Sequence, residues 1–507
     1  MDQRKLMELQ AQRGAKLMNG TDTNQKSLAF VTNECRKAIE EQSAKYRDLD
    51  ALAKREAIKQ IIIDFVMDTK PLVAGYIDGE NRPDTIKLVD KLVEDITDYG
   101  ILTTAMMDEE VYEIRCNGKE LKVEIKGRVT DLTDKDGNII SFESVEQQEV
   151  IMRKLLGDVR LTPMDALVNA RTIEGYRMAA VHSSAMSPDP NNPTGDKYHA
   201  FVLRKFRKTK MDLGQIVEYH TMSDNMARLL ALCPAGGLTF VTVGPTASGK
   251  TTTNNAILQS VPETTRTILL QNPSEIDLRF KDKSGRVYND VLHLEATDKE
   301  NPTPNDPTME NLMDMTLRLS PTFVCLGEIR SNKEFQSAMK IMNAGHPLNT
   351  TYHAESARGA TSRFLTAYLA VSGNEPSHLA LATLTNLLNL IIVQKIMSDG
   401  KRRVIQITEV RGVKKDNPNE PDLNDLYIFD IDEDPDYDEN GIVTAIHGRH
   451  RRVGRVSEKM VRKFQLEGVA PSRYDFVNKP VDNAEVETYT GKNINRYGMT
   501  LKARERR

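Results

Sequence analysis

The stretch FVTVGPTASGKTTTNNAIL, residues 240–258, contains the pattern GxxxxGK[ST] from Gly244 to Thr251. An apolar segment typical of a strand precedes the pattern, and a segment typical of a helix follows it. In such a loop the glycines let backbone N–H groups surround phosphates, and the helix amino terminus adds the positive end of its dipole. The stretch therefore predicts a loop that binds the phosphates of a nucleotide, with ATP and Mg²⁺ as the expected cofactors.

The residues of this loop have separate expected tasks. Lys250 is expected to reach the β- and γ-phosphates and to serve catalysis, and the Thr251 hydroxyl is expected to bind Mg²⁺. The loop residues expected to bind the nucleotide are Gly244, Pro245, Thr246, Ala247, Ser248, Gly249, Lys250, Thr251 and Thr252. The loop alone does not distinguish a GTPase, a kinase, a transporter subunit and a motor. The sequence has no guanine-binding NKxD after the loop and no LSGGQ signature.

Segments typical of strands and helices alternate around the loop. The strand-like segments are LTFVTV, RTILLQ, FVCLGEI and LNTTYHA, and the helix-like ones are SDNMARLLALC, KTTTNNAILQSV, TMENLMDMTLRL and NKEFQSAMKIMN. Alternation at this spacing predicts a parallel sheet covered by helices on both faces. We place this α/β domain at residues 216–430.

The flanking segments have different patterns. Residues 1–99 are charged, with apolar residues three and four apart, which predicts a helical amino-terminal extension. Residues 100–215 contain EVYEIRCNGKELKVEIKGRVTDL, whose alternation and turn signals predict a β meander within a smaller α+β domain. Residues 431–507 are first acidic and then basic, and they are predicted to form a carboxy-terminal extension that ends in a loose tail, RYGMTLKARERR.

Composition bounds the classes of protein. The 507 residues carry a net charge of -4, so no overall attraction to nucleic acid is implied. The four cysteines form no CxxC pair, which argues against a disulfide framework and a four-thiolate zinc site. The sequence shows neither a signal-peptide pattern nor an apolar run that would span a bilayer. We expect a cytoplasmic protein whose membrane contact, if any, is peripheral.

Two further segments contain candidate site residues. PTFVCLGEIR reads as a strand followed by Gly327 and Glu328, and Glu328 is the candidate for polarising the attacking water and for binding Mg²⁺. The alternative is an ordinary strand end with a solvated glutamate. In NAGHPLNTTYHAES we expect His346 and His353 to occupy adjacent positions at the strand edge. There they could sense the γ-phosphate, couple it to a neighbouring subunit, or be structural. Zinc binding is disfavoured because no third ligand stands at zinc spacing.

Together these motifs resemble the secretion ATPase superfamily of type II secretion, type IV pili and type IV secretion, most closely the tight-adherence pilus (CpaF) branch. The resemblance rests on GPTASGKTTT, LRLSPTFVCLGEIR and MNAGHPLNTTYHAESARGATSRF. YGILTTAMMDEEVYEIRCNG, MDALVNARTIEGYRMAAV and FVLRKF fit upstream, and ITEVRG and DLYIFD fit downstream. It covers about residues 90–465.

The resemblance implies a homo-hexameric ring whose protomers join an amino-terminal domain to a RecA-like motor domain, with ATP at the junction. It also implies an inner-membrane platform protein as partner and a location at the inner face of the cytoplasmic membrane. Residues it assigns to nucleotide binding, beyond the loop, are Arg171, Arg177, Arg204, Arg330, His346 and His353. For the first three arginines, the alternative is a solvated or salt-bridged surface residue.

One motif departs from the family pattern. Where the family has a second acidic box, the chain reads LLQNPSEIDL, with Gln271 and Asn272 in place of acids while Glu275 remains as a catalytic candidate. An amide brings no negative charge to help hold Mg²⁺ and cannot act as a base. Nucleotide binding is therefore expected, whereas the rate of hydrolysis depends on how far Glu328 suffices.

Three functions compete at this point. The first is a ring ATPase that powers assembly of a pilus or pseudopilus, or secretion, through ATP-driven domain motion. The second is a nucleotide-gated scaffold with little hydrolysis, motivated by Gln271 and Asn272. The third is a DNA-translocating RecA-like ATPase, whose only support is the basic HGRHRRVGRVSEKMVRK and the basic tail. Few aromatic residues are available to stack on bases, so nucleic acid is not an expected partner.

Overall fold

The computed structural model describes residues 26–42, 51–77, 82–125, 128–187, 197–205, 211–272, 275–282, 284–297, 306–372, 375–481, 484–492 and 494. The chain divides into two compact units, Met1–Lys208 and Thr209–Arg507. The four-part division expected from the sequence stays a prediction. The predicted loose tail from residue 496 onward lies outside the described residues.

The first unit begins with helices that bury an apolar stripe against one another. They are α1 (Leu28–Glu41), α2 (Ala51–Thr69) and α3 (Thr85–Thr97), followed by the short α4 (Thr103–Met107). Ser27 caps α1 and Asp84 caps α3, each accepting a hydrogen bond from a first-turn N–H. Their shared core includes Val31, Ile58, Ile62, Leu88 and Leu92. Helices in this segment were predicted, and they are confirmed over the described residues.

The rest of the first unit is an antiparallel sheet with one apolar face. Its strands are β1 (Val111–Asn117), β2 (Glu120–Ile125), β3 (Arg128–Asp131), β4 (Leu167–Arg171), β5 (Arg177–Val181) and β6 (Ala200–Arg204), in the order β3-β2-β1-β6-β5-β4. The helix α5 (Val145–Leu156) contributes Ile151 and Leu155 to the core that Ile114, Leu203 and Met178 form on that face. The predicted meander of β1, β2 and β3 is confirmed.

The second unit contains a ten-stranded sheet of two kinds of pairing. The strand order is β18-β17-β14-β13-β12-β7-β11-β10-β8-β9. In this order, neighbouring strands from β12 rightwards pair in parallel, and neighbouring strands from β18 to β12 pair antiparallel. The parallel strands are β7 (Phe240–Val243), β8 (Thr267–Gln271), β9 (Val291–Glu295), β10 (Phe323–Leu326), β11 (Leu348–Tyr352) and β12 (Leu390–Ile396). The antiparallel strands are β13 (Arg402–Val413), β14 (Pro421–Ile431), β17 (Gly448–Arg452) and β18 (Glu485–Val486). Strands β15 (Asp436–Tyr437) and β16 (Val443–Ala445) form a separate small hairpin.

Helices cover both faces of this sheet, as the alternation predicted. They are α6 (Leu213–Glu218), α7 (Asp224–Leu232), α8 (Lys250–Leu258), α9 (Met309–Thr316), α10 (Asn332–Asn343), α11 (Ala357–Ser372), α12 (Ser377–Leu387), α13 (Glu458–Leu466) and α14 (Asp475–Asn478). Two apolar cores separate the sheet from its helices, one on each face. The predicted α/β fold class, a RecA-like P-loop unit with a smaller α+β unit and amino-terminal helices, is confirmed.

The sheet extends beyond what the sequence suggested. Strands β17 and β18 lengthen it past residue 431, and the Asp224 carboxylate at the start of α7 accepts hydrogen bonds from Thr488, Thr490 and Gly491. The segment around residue 490 is therefore fastened to the second unit. Over the described residues, no helix combines the length and the apolar character that crossing a bilayer requires.

Candidate nucleotide-binding site

The GxxxxGK[ST] loop joins β7 to α8 and depends on its two glycines. A Cβ on Gly244 would lie 2.0 Å from the carbonyl oxygen of Gln394, so only glycine fits there. Gly249 caps α8 with φ +91°, in the left-handed region that glycine adopts without steric cost. Pro245, Thr246 and Ala247 between them are exposed. The loop thus presents accessible backbone at a helix amino terminus, which is the arrangement that fits a nucleotide phosphate.

Lys250 is the first residue of α8 and is turned into the loop. Its side chain is buried, and Nζ donates hydrogen bonds to the carbonyl oxygens of Gly244 (3.0 Å) and Pro245 (2.9 Å). Burial lowers the pKa of Lys250, and the negative charge of Glu328 opposes that shift. The charges of Lys250 and Glu328 therefore attract each other, and both residues lie at the same edge of the sheet.

Glu328 follows β10, and two cationic or polar side chains hold its carboxylate. His353 Nε2 lies 2.9 Å from one carboxylate oxygen, and Arg330 Nε donates to the other at 3.0 Å. The Thr351 hydroxyl donates to the carbonyl oxygen of Gly327 at 2.8 Å and fixes the turn that carries Glu328. The Glu328 side chain keeps 26% of its surface exposed. It is thus oriented by neighbours and still reachable by water.

Strand β11 determines where the two histidines lie. It runs parallel to β7 with Tyr352 opposite Val243, so His353 emerges beside Gly244 at the phosphate-loop edge. His346 precedes the same strand and therefore lies at the opposite edge of the sheet, beyond Leu348. The expectation that the two histidines occupy adjacent positions is wrong, because a parallel strand carries its two ends to opposite edges. The structure brings His353, but not His346, to Glu328.

Gln271 ends β8, the strand next to β10, and its side-chain amide bonds main-chain groups that follow closely in the sequence. Its Oε1 accepts hydrogen bonds from the N–H groups of Glu275 (2.8 Å) and Ile276 (2.6 Å), while Nε2 donates to the Ile276 carbonyl oxygen at 2.8 Å. The side chain is buried. Asn272 is half-buried and Glu275 is exposed. Gln271 therefore shapes the turn that follows β8, and a carboxylate could not reproduce its donated bond.

The three arginines of the first unit occupy one row across the sheet. Arg171 lies opposite Arg177, Arg177 opposite Arg204, and Arg204 opposite Glu113. Residues directly opposite in an antiparallel sheet share a face, so the row lies on the face away from the apolar core. Glu113, which is buried, accepts Arg204 at 2.8 Å and Arg115 at 2.6 Å. The structure places three cations side by side on neighbouring strands.

Two residues next to the phosphate loop were missed by sequence reasoning. Arg402, at the start of β13, donates from Nε to the Ala247 carbonyl oxygen at 2.9 Å. The Gln394 carbonyl oxygen closes over Gly244, and its side-chain Nε2 lies 3.0 Å from the Cβ position of Gly249. Both reach the loop because β12 pairs with β7, a contact between segments about 150 residues apart. Local patterns carry no signal for that pairing.

A cluster of His, Cys, Asp or Glu side chains could hold a metal ion. Within the described ranges, no three His, Cys, Asp or Glu side chains gather closely enough to hold a metal ion between them. Thr251 lies half-buried in the first turn of α8, beside Lys250. The Thr251 hydroxyl is therefore carried by the same helix turn as Lys250, directly after the phosphate loop.

Comparison with known proteins shows the family of this chain. Residues 135–472 match the family described as Type II/IV secretion system protein. An uncharacterized protein of Methanocaldococcus jannaschii is 28% identical over 252 residues, covering 49% of this chain and 41% of that protein. The type II secretion system ATPase E of Vibrio cholerae is 30% identical over 214 residues, covering 42% of this chain and 38% of that protein. The chain thus spans about two fifths of the length of these curated relatives.

Among solved structures, the ATPase DotB of Legionella pneumophila aligns with 20% identity and a TM-score of 0.43, covering 60% of this chain and 77% of that one. The family match extends over well more than half of the 507 residues and includes the phosphate loop, Glu328 and both histidines. The chain belongs to the Type II/IV secretion system protein family.

Proposed function

We propose that the chain is an ATP hydrolase that forms a homo-hexameric ring and powers pilus or pseudopilus assembly, or secretion, by ATP-driven domain motion. The observation that carries the proposal is the meeting of Lys250, Glu328 and His353 at the carboxyl edge of the parallel sheet. We further propose a cytoplasmic location, peripheral at the inner face of the cytoplasmic membrane, and an inner-membrane platform protein as partner. The family membership supports these assignments.

Each residue near the loop has a proposed task in hydrolysis. The loop N–H groups and Lys250 bind the phosphates, and Lys250 exchanges its two carbonyl partners for phosphate oxygens. Glu328 accepts a proton from the attacking water, while Arg330 and His353 keep its carboxylate in one orientation. When bound, Mg²⁺ offsets phosphate charge, with Thr251 and Glu328 as its candidate ligands.

The arginine row supports a proposal for the first unit. Arg171, Arg177 and Arg204 lie side by side on one sheet face, where they form a concentrated positive charge. A cation supplied by a mobile domain stabilises phosphate charge only when that domain closes. We therefore assign these arginines to phosphate binding in the closed state. Arg204 also pairs with the buried Glu113 at 2.8 Å.

A second candidate function is a nucleotide-gated scaffold that closes on ATP without turnover. Its support is the position of Gln271. The side-chain amide bonds main-chain groups of Glu275 and Ile276 and brings no negative charge. Restoring the acids as Gln271→Glu with Asn272→Asp distinguishes the two candidates. A large rise in turnover favours the scaffold.

The DNA-translocating candidate receives less support from the basic strand β17. Arg449 pairs with Asp432 at 2.7 Å, Arg451 with Asp430 at 2.8 Å, and Arg452 with Glu485 at 2.7 Å. His447 likewise lies 2.9 Å from Asp436. Acidic residues before β17 and in β18 therefore offset charges of β17 that would otherwise attract phosphates.

The proposed function is tested by Lys250→Ala. We expect purified wild-type protein to hydrolyse ATP with Mg²⁺ and to have the native mass of a hexamer, and Lys250→Ala to lose turnover. Lys340→Ala, at an exposed position of α10 where Lys340 pairs with Asp314, is the control and should retain it. Wild-type protein without turnover, together with a Lys250→Ala variant that behaves normally in cells, would refute the proposal.

A further inference from the structure

The turn between β4 and β5 connects the arginine row to the amino-terminal helices. Residues 172–176 form this turn, closed by the N–H of Thr172 on the Tyr176 carbonyl oxygen (2.9 Å) and by that of Gly175 on Thr172 (2.8 Å). Gly175 has φ +85°, so the chain reverses tightly. Arg171 and Arg177 stand on either side of the turn, directly opposite each other. A displacement of the turn is therefore passed to both arginines.

The helices contact this turn at three points. The Tyr99 hydroxyl, just after α3, contacts both carboxylate oxygens of Glu174, at 2.8 and 3.0 Å. Lys54 of α2 donates from Nζ to the Glu174 carbonyl oxygen at 3.0 Å. Ile173 is buried in the apolar core of the helices and not in that of the sheet. The helices thus hold the turn at three places: the Glu174 carboxylate, the Glu174 carbonyl oxygen and the Ile173 side chain.

The side chains that make these polar contacts are buried, so water does not compete for their hydrogen bonds. Tyr99, Lys54 and Tyr176 are all buried, and the Lys54 ammonium lies 5.2 Å from the centre of the Tyr176 ring. Burial, followed by the charge of Glu174, raises the pKa of Tyr99 well above its ordinary value. Tyr99 therefore keeps its proton and remains a donor to the carboxylate. Removing one member leaves a buried polar group without its partner.

The two ends of the arginine row lie beside different neighbours. Like charges directly opposite on neighbouring strands repel each other, and Glu113 lies at one end of the row, away from the β4–β5 turn. The far end of the row is where the helices fasten the turn.

We infer that the amino-terminal helices are a positioning element for Arg171 and Arg177, acting through Tyr99, Lys54 and Ile173 on the β4–β5 turn. A partner that shifts the helices would then change how the arginines meet the nucleotide, without touching the phosphate loop. The inference rests on the proposed function, since it assumes that these arginines act on phosphate. Tyr99, Lys54 and Ile173 are positioning residues and not catalytic ones.

The test is a double-mutant cycle on ATP turnover by the full-length protein. Tyr99→Phe removes the hydroxyl that holds Glu174, and we expect kcat to fall on the order of tenfold while ATP affinity is retained. In an Arg171→Ala/Arg177→Ala background, Tyr99→Phe should have no further effect. Tyr76→Phe is the matched control, because Tyr76 packs on the same helices and its main-chain N–H and carbonyl oxygen bond to Val73 and Asp84.

An equal loss of kcat in both backgrounds, or no loss in either, overturns the inference. If the arginine double variant turns over like wild type, the inference falls together with the arginine assignment, whereas Lys250→Ala still tests hydrolysis itself. A second readout does not need turnover: hydrogen exchange of residues 171–177 with a non-hydrolysable ATP analogue. We expect the analogue to protect this segment in wild type and less so in Tyr99→Phe. Equal protection in the two proteins overturns the inference.

Discussion

Glu328 and Gln271 follow neighbouring strands of one sheet, yet their side chains are used in opposite ways. Glu328 is held by His353 and Arg330 and keeps a quarter of its surface exposed. Gln271 is 1% exposed, and its own turn engages both its amide oxygen and its amide nitrogen. The histidines repeat the contrast, since His353 is 43% exposed at the site while His450 is completely buried. At these two strand ends, the carboxylate proposed to act on the nucleotide is oriented and exposed, whereas the amide is enclosed.

The contrast is tested most strongly by Glu328→Gln. The amide keeps the shape of the side chain but cannot accept a proton, so we expect turnover to fall by about 10²- to 10⁴-fold. ATP affinity should stay close to that of wild type, because Lys250 and the loop N–H groups remain. Single-turnover kinetics and equilibrium binding of a fluorescent ATP analogue measure the two quantities separately.

A control for Glu328→Gln is Glu439→Gln, at an exposed position between β15 and β16, which should leave turnover unchanged. If Glu328→Gln hydrolyses ATP at the wild-type rate, Glu328 is not the base and the contrast with Gln271 loses its chemical meaning.

Buried His450 provides the second prediction, which concerns stability in acid. Its ring nitrogens meet the Tyr489 hydroxyl and the Val404 carbonyl oxygen, each at 2.9 Å. Burial, with a smaller effect of the nearby Arg403 and His220 charges, lowers the pKa of His450 from 6.5 to about 4. Below pH 6.5 the unfolded chain binds a proton at this position that the folded chain does not. The free energy of unfolding should therefore fall as the pH drops from 6.5 to 4, by about 3 kcal/mol from this group.

The measurement for His450 is urea unfolding across that pH range. The His450→Gln variant should lose less stability in acid than wild type does, and His378→Gln, at an exposed position of α12, should follow the wild-type curve. Parallel curves for wild type and His450→Gln would show that the ring titrates in the folded protein as it does in the unfolded chain.

Features that depend on local sequence patterns could be predicted, whereas features that depend on long-range strand pairing could not. The phosphate loop, the strand before Glu328 and the alternation of strands and helices are local patterns, and each was predictable. The insertion of β11 between β7 and β10 is a long-range choice, and it brings His353 to Glu328 beside the phosphate loop. The positions of Gln394 and Arg402 depend on the β7–β12 pairing in the same way.

The orientation of Gln271 could not be predicted either. The sequence shows that an amide replaces an acid, but the side chain's partners are main-chain groups of Glu275 and Ile276, which carry no residue-specific signature. An Asn-Pro pair at residues 272–273 does mark a turn. A glutamine just before such a turn is as compatible with capping it as with facing the nucleotide.

The smallest expected effect belongs to Gln271→Glu, and it distinguishes the two sides of the contrast most directly. A glutamate can still accept from the N–H groups of Glu275 and Ile276, but its carboxylate faces the Ile276 carbonyl oxygen where the amide donated a bond. We expect the free energy of unfolding to fall by about 1–3 kcal/mol. Turnover should not rise, because the new charge stays enclosed in the turn. Gln271→Met, which removes all three bonds without adding charge, is the comparison for packing.

Thermal unfolding and steady-state ATPase assays of Gln271→Glu, with and without Asn272→Asp, give the decisive pair of numbers. Lower stability with unchanged turnover means that the Gln271 amide stabilises the fold, and that hydrolysis does not depend on a charge at residue 271. Unchanged stability with a large gain in turnover means that the turn opens to present residue 271 to the nucleotide. In that case exposure in the resting structure is no guide to which strand-end residues take part in hydrolysis, and the scaffold function gains support.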